Sequence, residues 1–177
     1  MSMTLAHAPD DDARIVKGLG DFCANFCRNA AGDAPPCIIR GYVNRVSKPA
    51  TPDYVLITPL TLTRTGTNLH AWDASTGTQS VTQPARRRVQ IDCCGNMAPV
   101  WAKTVSTLLR DMIGVDFLAP YGLTPLWCDD PRDLTQAGGD EQYHPRLSVD
   151  AHLQVNDIVG VDLDFFTNVN LILRPQA

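Results

Sequence analysis

From Arg146 to Val155 the chain alternates strictly, Leu147, Val149, Ala151, Leu153 and Val155 against Arg146, Ser148, Asp150, His152 and Gln154. A period of two puts one set on a buried face and the other on a wet or partner-facing one, which predicts a long strand at about 144–156. The N-terminal part of the chain shows the helical period instead. Ile15, Leu19, Phe22 and Phe26 recur at helical steps behind Asp10, Asp11 and Asp12, a triplet that can cap a helix and complement its positive end. An amphipathic helix follows at about 11–30, stopped by Gly32 and the prolines of GDAPPC. A second stripe, Met97, Trp101, Val105, Leu108 and Met112, predicts a helix at about 97–112 with Lys103, Ser106 and Arg110 outward.

Between and after the helices the residues favour strands. Cys37 to Thr65 is rich in Ile, Val, Tyr and Thr, giving strand pieces at about 38–44 and 54–64, with Pro59 marking an edge or a bulge. TGTNLHAWDASTGTQSVTQP reads as a turn-rich hairpin region. Val89, Ile91 and Cys93 share one face of a further strand, and others are expected at about 123–128 and 168–174. The fold class is therefore α+β, a mostly antiparallel β-sheet with two amphipathic helices packed on one side. The 177 residues fit a single domain, 1–177.

Charge and composition narrow the function. A net charge of -4 argues against a protein that holds nucleic acid by neutralising phosphates, leaving Arg86, Arg87 and Arg88 as a local basic patch. MSMTLAHAPDDD has neither a basic start nor an apolar h-region, and no apolar run reaches membrane-spanning length, so the expectation is a soluble, unexported chain. The six cysteines form no C-x-x-C pair. Cys23 and Cys27 fall on the apolar stripe of the first helix, where reduced thiols act as small buried groups.

The acidic stretch from Asp129 to His144 is the place to look for chemistry. Counted from Asp129, an EF-hand loop would need an oxygen ligand at Pro131 and a glycine at Leu134, so that template fails. Asp129, Asp130, Asp133, Asp140 and Glu141 could converge with His144 as a two-metal hydrolytic site, and Cys128 with His144 or His152 as nucleophile and base. Against these stands a solvated loop or assembly contact. Gly18-Leu19-Gly20 starts like a dinucleotide loop but lies inside a helix pattern and lacks the third glycine. No catalytic, cofactor or metal residues are assigned on these grounds.

Five segments in order, IIRGYVNRVSKP, YVLITPLTLTRTGTNLHAWD, VQIDCCG, TLLRDMIGVDFL and PLWCDDPRDLTQAGGDEQYHPRLSVDAHLQVND, resemble the phage neck or tail-terminator-like proteins of long-tailed phages and prophages. The similarity covers about 37–173, and its most specific parts are Arg64 to Asn68 and Asp129 to Tyr143. The resemblance implies a non-enzymatic virion protein, assembled in the host cytoplasm into a ring of six at the head-proximal end of the tail. There it would end tube growth and help join tail to head. Implied partners are other copies of the chain, the tail tube protein, head–tail connector or adaptor proteins and the tail sheath. Genome DNA would pass through without sequence-specific binding, and neither a cofactor nor a membrane is involved. A head-completion adaptor and a small metal-dependent hydrolase are the alternative readings. Because a ring subunit shows different surfaces to its two neighbours, charged segments of opposite sign can meet across the interface. Arg86, Arg87, Arg88, Asp129, Asp130, Arg132 and Asp133 are the candidate interface residues.

Overall fold

The computed structural model describes residues 3–7, 11–28, 34–42, 49, 51–137 and 143–163. Along them run β1 (Met3–His7), α1 (Asp11–Phe26), β2 (Cys37–Arg40), β3 (Tyr54–Arg64), β4 (Leu69–Asp73), β5 (Thr78–Cys94), α2 (Ala98–Leu108), α3 (Met112–Leu118) and a 3-10 turn (Ala119–Tyr121). β6 (Thr124–Cys128), β7 (Arg132–Asp133), β8 (Gln136–Ala137), β9 (Tyr143–His144) and β10 (Arg146–Leu163) complete them. The main sheet runs β1-β10-β5-β3-β2, with β4 added to β5, and β6 and β7 added to β10. β2 with β3 is its one parallel pair among the described residues. The α+β, mostly antiparallel reading holds.

Two long strands form the spine. All 17 residues of β5 pair with β10, from Cys94 opposite Arg146 to Thr78 opposite Asp162. The period of two then divides the sheet. Val55 and Ile57 on β3, Val89, Ile91 and Cys93 on β5, and Val149, Ala151, Leu153 and Val155 on β10 enter one core with Ile15, Leu19 and Phe22 of α1 and Trp101 and Val105 of α2. Phe22, Phe26 and Phe117 meet at ring separations of 4.8, 5.5 and 5.5 Å, which ties α1 to α3. Trp101 is 1% exposed, and its indole N–H donates to the Arg28 carbonyl at 3.1 Å.

Gly18 and Gly95 are among the glycines that packing or backbone requires. A Cβ on Gly18 would lie 3.0 Å from Leu123 and 3.1 Å from the Tyr121 ring, so the missing side chain makes room for the turn after α3 to lie on α1. Gly95, between β5 and α2, has φ +96°, and a Cβ there would meet the Asp53 carboxylate at 2.2 Å.

Several boundaries differ from the sequence expectation. α1 ends at Phe26 rather than about residue 30. The described residues form three helices, not two, because the expected 97–112 helix breaks after Leu108. Asp111 caps a new helix by accepting the Ile113 amide at 3.1 Å, and Met112 is 65% exposed instead of extending the core stripe. Pro59 marks a bulge, the register shifting between Pro59 and Leu62, and it lies past Tyr54–Ile57, the part of β3 that pairs with β2. The strands expected at 38–44 and 144–156 are Cys37–Arg40 and Arg146–Leu163. The strand expected at 168–174 lies outside the described residues. No described helix is long and apolar enough to cross a membrane.

Candidate functional site

The face of the sheet turned away from the helices carries the polar members of the alternation, and pairing register lays them out in rows. Arg88 lies opposite His152, which lies opposite Trp127. Gln90 faces Asp150, Asp92 faces Ser148 and Arg86 faces Gln154. No described helix lies over this face, yet Asp92, Ser148 and Asp150 are all buried.

Arginine side chains provide the cover. Asp150, 0% exposed, accepts hydrogen bonds from Arg88 at 2.6 and 3.2 Å and from Arg132 at 2.6 Å. Asp92 accepts from Arg146 at 2.7 Å and from Gln90 at 2.9 Å. Carboxylates in such positions are tolerated only when paired and hydrogen-bonded, and each guanidinium supplies several donors in a fixed plane. The Asp92 hydrogen bond raises the Arg146 pKa further above its ordinary value. Ser148 Oγ and Asp150 Oδ1 are buried without a hydrogen-bond partner among the described residues.

The other end of this face is built differently. Trp127 stacks on His152 with centroids 4.2 Å apart and planes at 17°, and the Arg86 guanidinium lies 5.0 Å from the Trp127 ring centroid. Asp129 approaches His152 Nε2 at 3.7 Å. Thr61, Thr63, Arg86, Arg88 and His152 line a depression of about 160 Å³ there.

The seven candidate interface residues thus fall into separate environments. Arg86, Arg88, Asp129 and Arg132 share the outward face. The arginine run and the segment after Asp129 are neighbours within one subunit, where Arg88 and Arg132 converge on Asp150. Asp130 pairs with Arg110 at 2.8 Å, and the same guanidinium donates to the Cys128 carbonyl at 2.6 Å, fastening the start of the loop. Asp133 is held by Thr135 hydrogen bonds that lower its pKa.

Arg87 points the opposite way. Its guanidinium pairs with Asp12 of α1, and its side chain is only 15% exposed. The run occupies the middle of β5, and alternation sends its central member to the helix side, away from Arg86 and Arg88.

The alternative chemistries can be placed as well. Among the described residues no three His, Cys, Asp or Glu side chains gather around a common point; Asp140 and Glu141 lie outside those residues. Burial pushes the Cys128 thiol up to about 12, far from the thiolate a nucleophile requires. Cys23, Cys27, Cys93 and Cys94 are free and buried. Sequence reasoning passed over Asp92, Arg110, Trp127, Arg146 and Asp150 as site residues. The signal for three of them was present, since VQID and RLSVDAH each place acids or bases at alternate positions of strands that were expected.

No curated protein matches this chain. A sequence model of the family described as phage neck terminator protein matches residues 13–175, nearly the full length, and the chain belongs to that family.

Proposed function

We infer from the family match that this is a structural protein of the phage neck, a component of the virion that works with other head and tail proteins. We propose that it forms a six-membered ring at the head-proximal end of the tail, where it stops growth of the tail tube and supplies the surface to which the head is joined. In this reading the ring contacts the tail tube protein, the connector or adaptor proteins and, in a contractile tail, the sheath. It catalyses no reaction, and DNA passes through it without sequence-specific contacts. The match over residues 13–175 carries the proposal. The outward sheet face supports it: a rigid, hydrogen-bonded array of arginines and carboxylates on two long strands can fix the register of a protein contact.

Deletion of the gene from its phage, followed by electron microscopy of the lysate, tests the function. Tails longer than normal and detached from filled heads are expected, with normal particles restored by the gene in trans. Tails of normal length that fail to join heads would point to a connector adaptor instead, and normal particles would overturn both readings.

A further inference from the structure

Among the described residues every carboxylate but one and most cations are matched within the subunit; Arg64, Arg86 and Lys103 have no carboxylate beside them, and of these three Arg86 is the one held against an aromatic ring. Of the carboxylates among the described residues, Asp116 alone has neither a hydrogen bond nor an ion pair there. It sits exposed on α3 beside Met112 and Ile113, two apolar side chains also turned to solvent. Arg86 is its counterpart in sign. Its guanidinium is held against Trp127 with no carboxylate from the described residues beside it. The depression it lines is completed by Thr61, Thr63, Arg88 and His152, all of which can donate hydrogen bonds. Exposed apolar surface adjoins it in Trp127, and further along the same face in Leu69 and Ile158, which flank Thr82.

Resting on the ring reading, we propose that the Arg86 depression receives Asp116 of a second copy, joining neighbouring subunits head to tail. The partners are complementary in charge, and each brings an apolar surround that would exclude water from the pair. Arginine and tryptophan are also the residue types that dominate the centres of protein interfaces. The two patches are different surfaces, one on the outward sheet face and one in the helix layer. Because the patches lie in different layers, one two-fold interface does not bring both together; the contact propagates head to tail and closes into a ring where the rotation between subunits allows.

The test uses phage particles carrying the full chain with R86C and D116C together on a C37S background, which removes the exposed native thiol. Oxidation followed by a non-reducing gel should give a ladder of covalent oligomers, while either single variant should give monomer. In parallel, R86E and D116R should each lower incorporation into particles by about tenfold or more through like-charge contact, and the R86E/D116R exchange should recover most of it. Thermal melts of the purified variants show whether each is folded, and the cysteine ladder does not depend on the charge reversals. Chain that is present in particles but stays monomeric on oxidation, or an exchange no better than its single variants, would overturn the proposal. Absence of the wild-type chain from particles would instead remove the neck reading on which it rests.

Discussion

Asp157 lies on the helix side of β10, against the first turn of α1. Its side chain is 12% exposed and stands beside Asp11, with Arg14 3.6 Å away and Arg87 nearby. Burial, then the hydrogen bond with Asp11 and that group's charge, push the Asp157 carboxyl up to about 6, against the pull of Arg14 and Arg87. The folded state therefore retains a proton that the unfolded chain releases between about pH 4 and 6. Stability falls as pH rises through that window, and the cost is fully present above about pH 6. Asp157→Asn keeps a donor for Asp11 and removes the ionisation. At pH 7.5 it should raise the unfolding free energy by about 1 kcal/mol, less than the full shift because solvent reaches the group, and the gain should vanish near pH 4. Urea melts at the two pH values decide the matter; a loss of stability at pH 7.5 would mean that the Arg14 and Arg87 contacts outweigh the burial.

Elements were legible in the sequence wherever their own apolar period decided them. Ile15, Leu19 and Phe22 marked α1, and Met97, Trp101 and Val105 marked α2, because each stripe buries against the same sheet. The end of α2 was not legible. Met112 continues the stripe in spacing, whereas the local hydrogen bond from the Ile113 amide to Asp111 turns the chain. The first half of β5 was hidden for a related reason: TQSVTQPARRR has no apolar alternation, and its strand conformation is fixed by β10 on one side and by β3 or β4 on the other. The same limit applied to the site. Which arginine faces outward follows from strand parity, but the partners Asp12 and Asp150 come from distant segments. Trp101 provides a measurable check at this scale. Trp101→Ala should cost about 3 to 5 kcal/mol through the cavity it leaves under the sheet. Trp101→Phe should cost about 1 to 2 kcal/mol, since most of the volume stays while the Arg28 carbonyl loses its donor. An unchanged urea midpoint for the alanine variant would contradict this placement of α2.

At the scale of the whole molecule, a two-layer subunit separates what holds the fold from what is free to meet a partner, and the division passes between adjacent residues of β5. Arg87 belongs to the first set, because its guanidinium joins the sheet to α1 through Asp12 with Asp11 and Asp157 close by. A glutamate in its place would add a fourth carboxylate to that corner and leave Asp12 without its closest partner. Arg87→Glu should therefore lower the unfolding free energy by about 3 kcal/mol, as for other partly buried ion pairs broken from one side. Arg86→Glu faces away from the helices and, among the described residues, gives up the contact with Trp127, at most about 1 kcal/mol. The two variants should separate cleanly: Arg86→Glu melts near the wild-type temperature but is lost from phage particles, and Arg87→Glu melts early whether or not it is incorporated. Equal melting temperatures for the two would show that the Asp12 contact adds little to the fold, and normal incorporation of a folded Arg86→Glu chain would take the outward face out of the assembly.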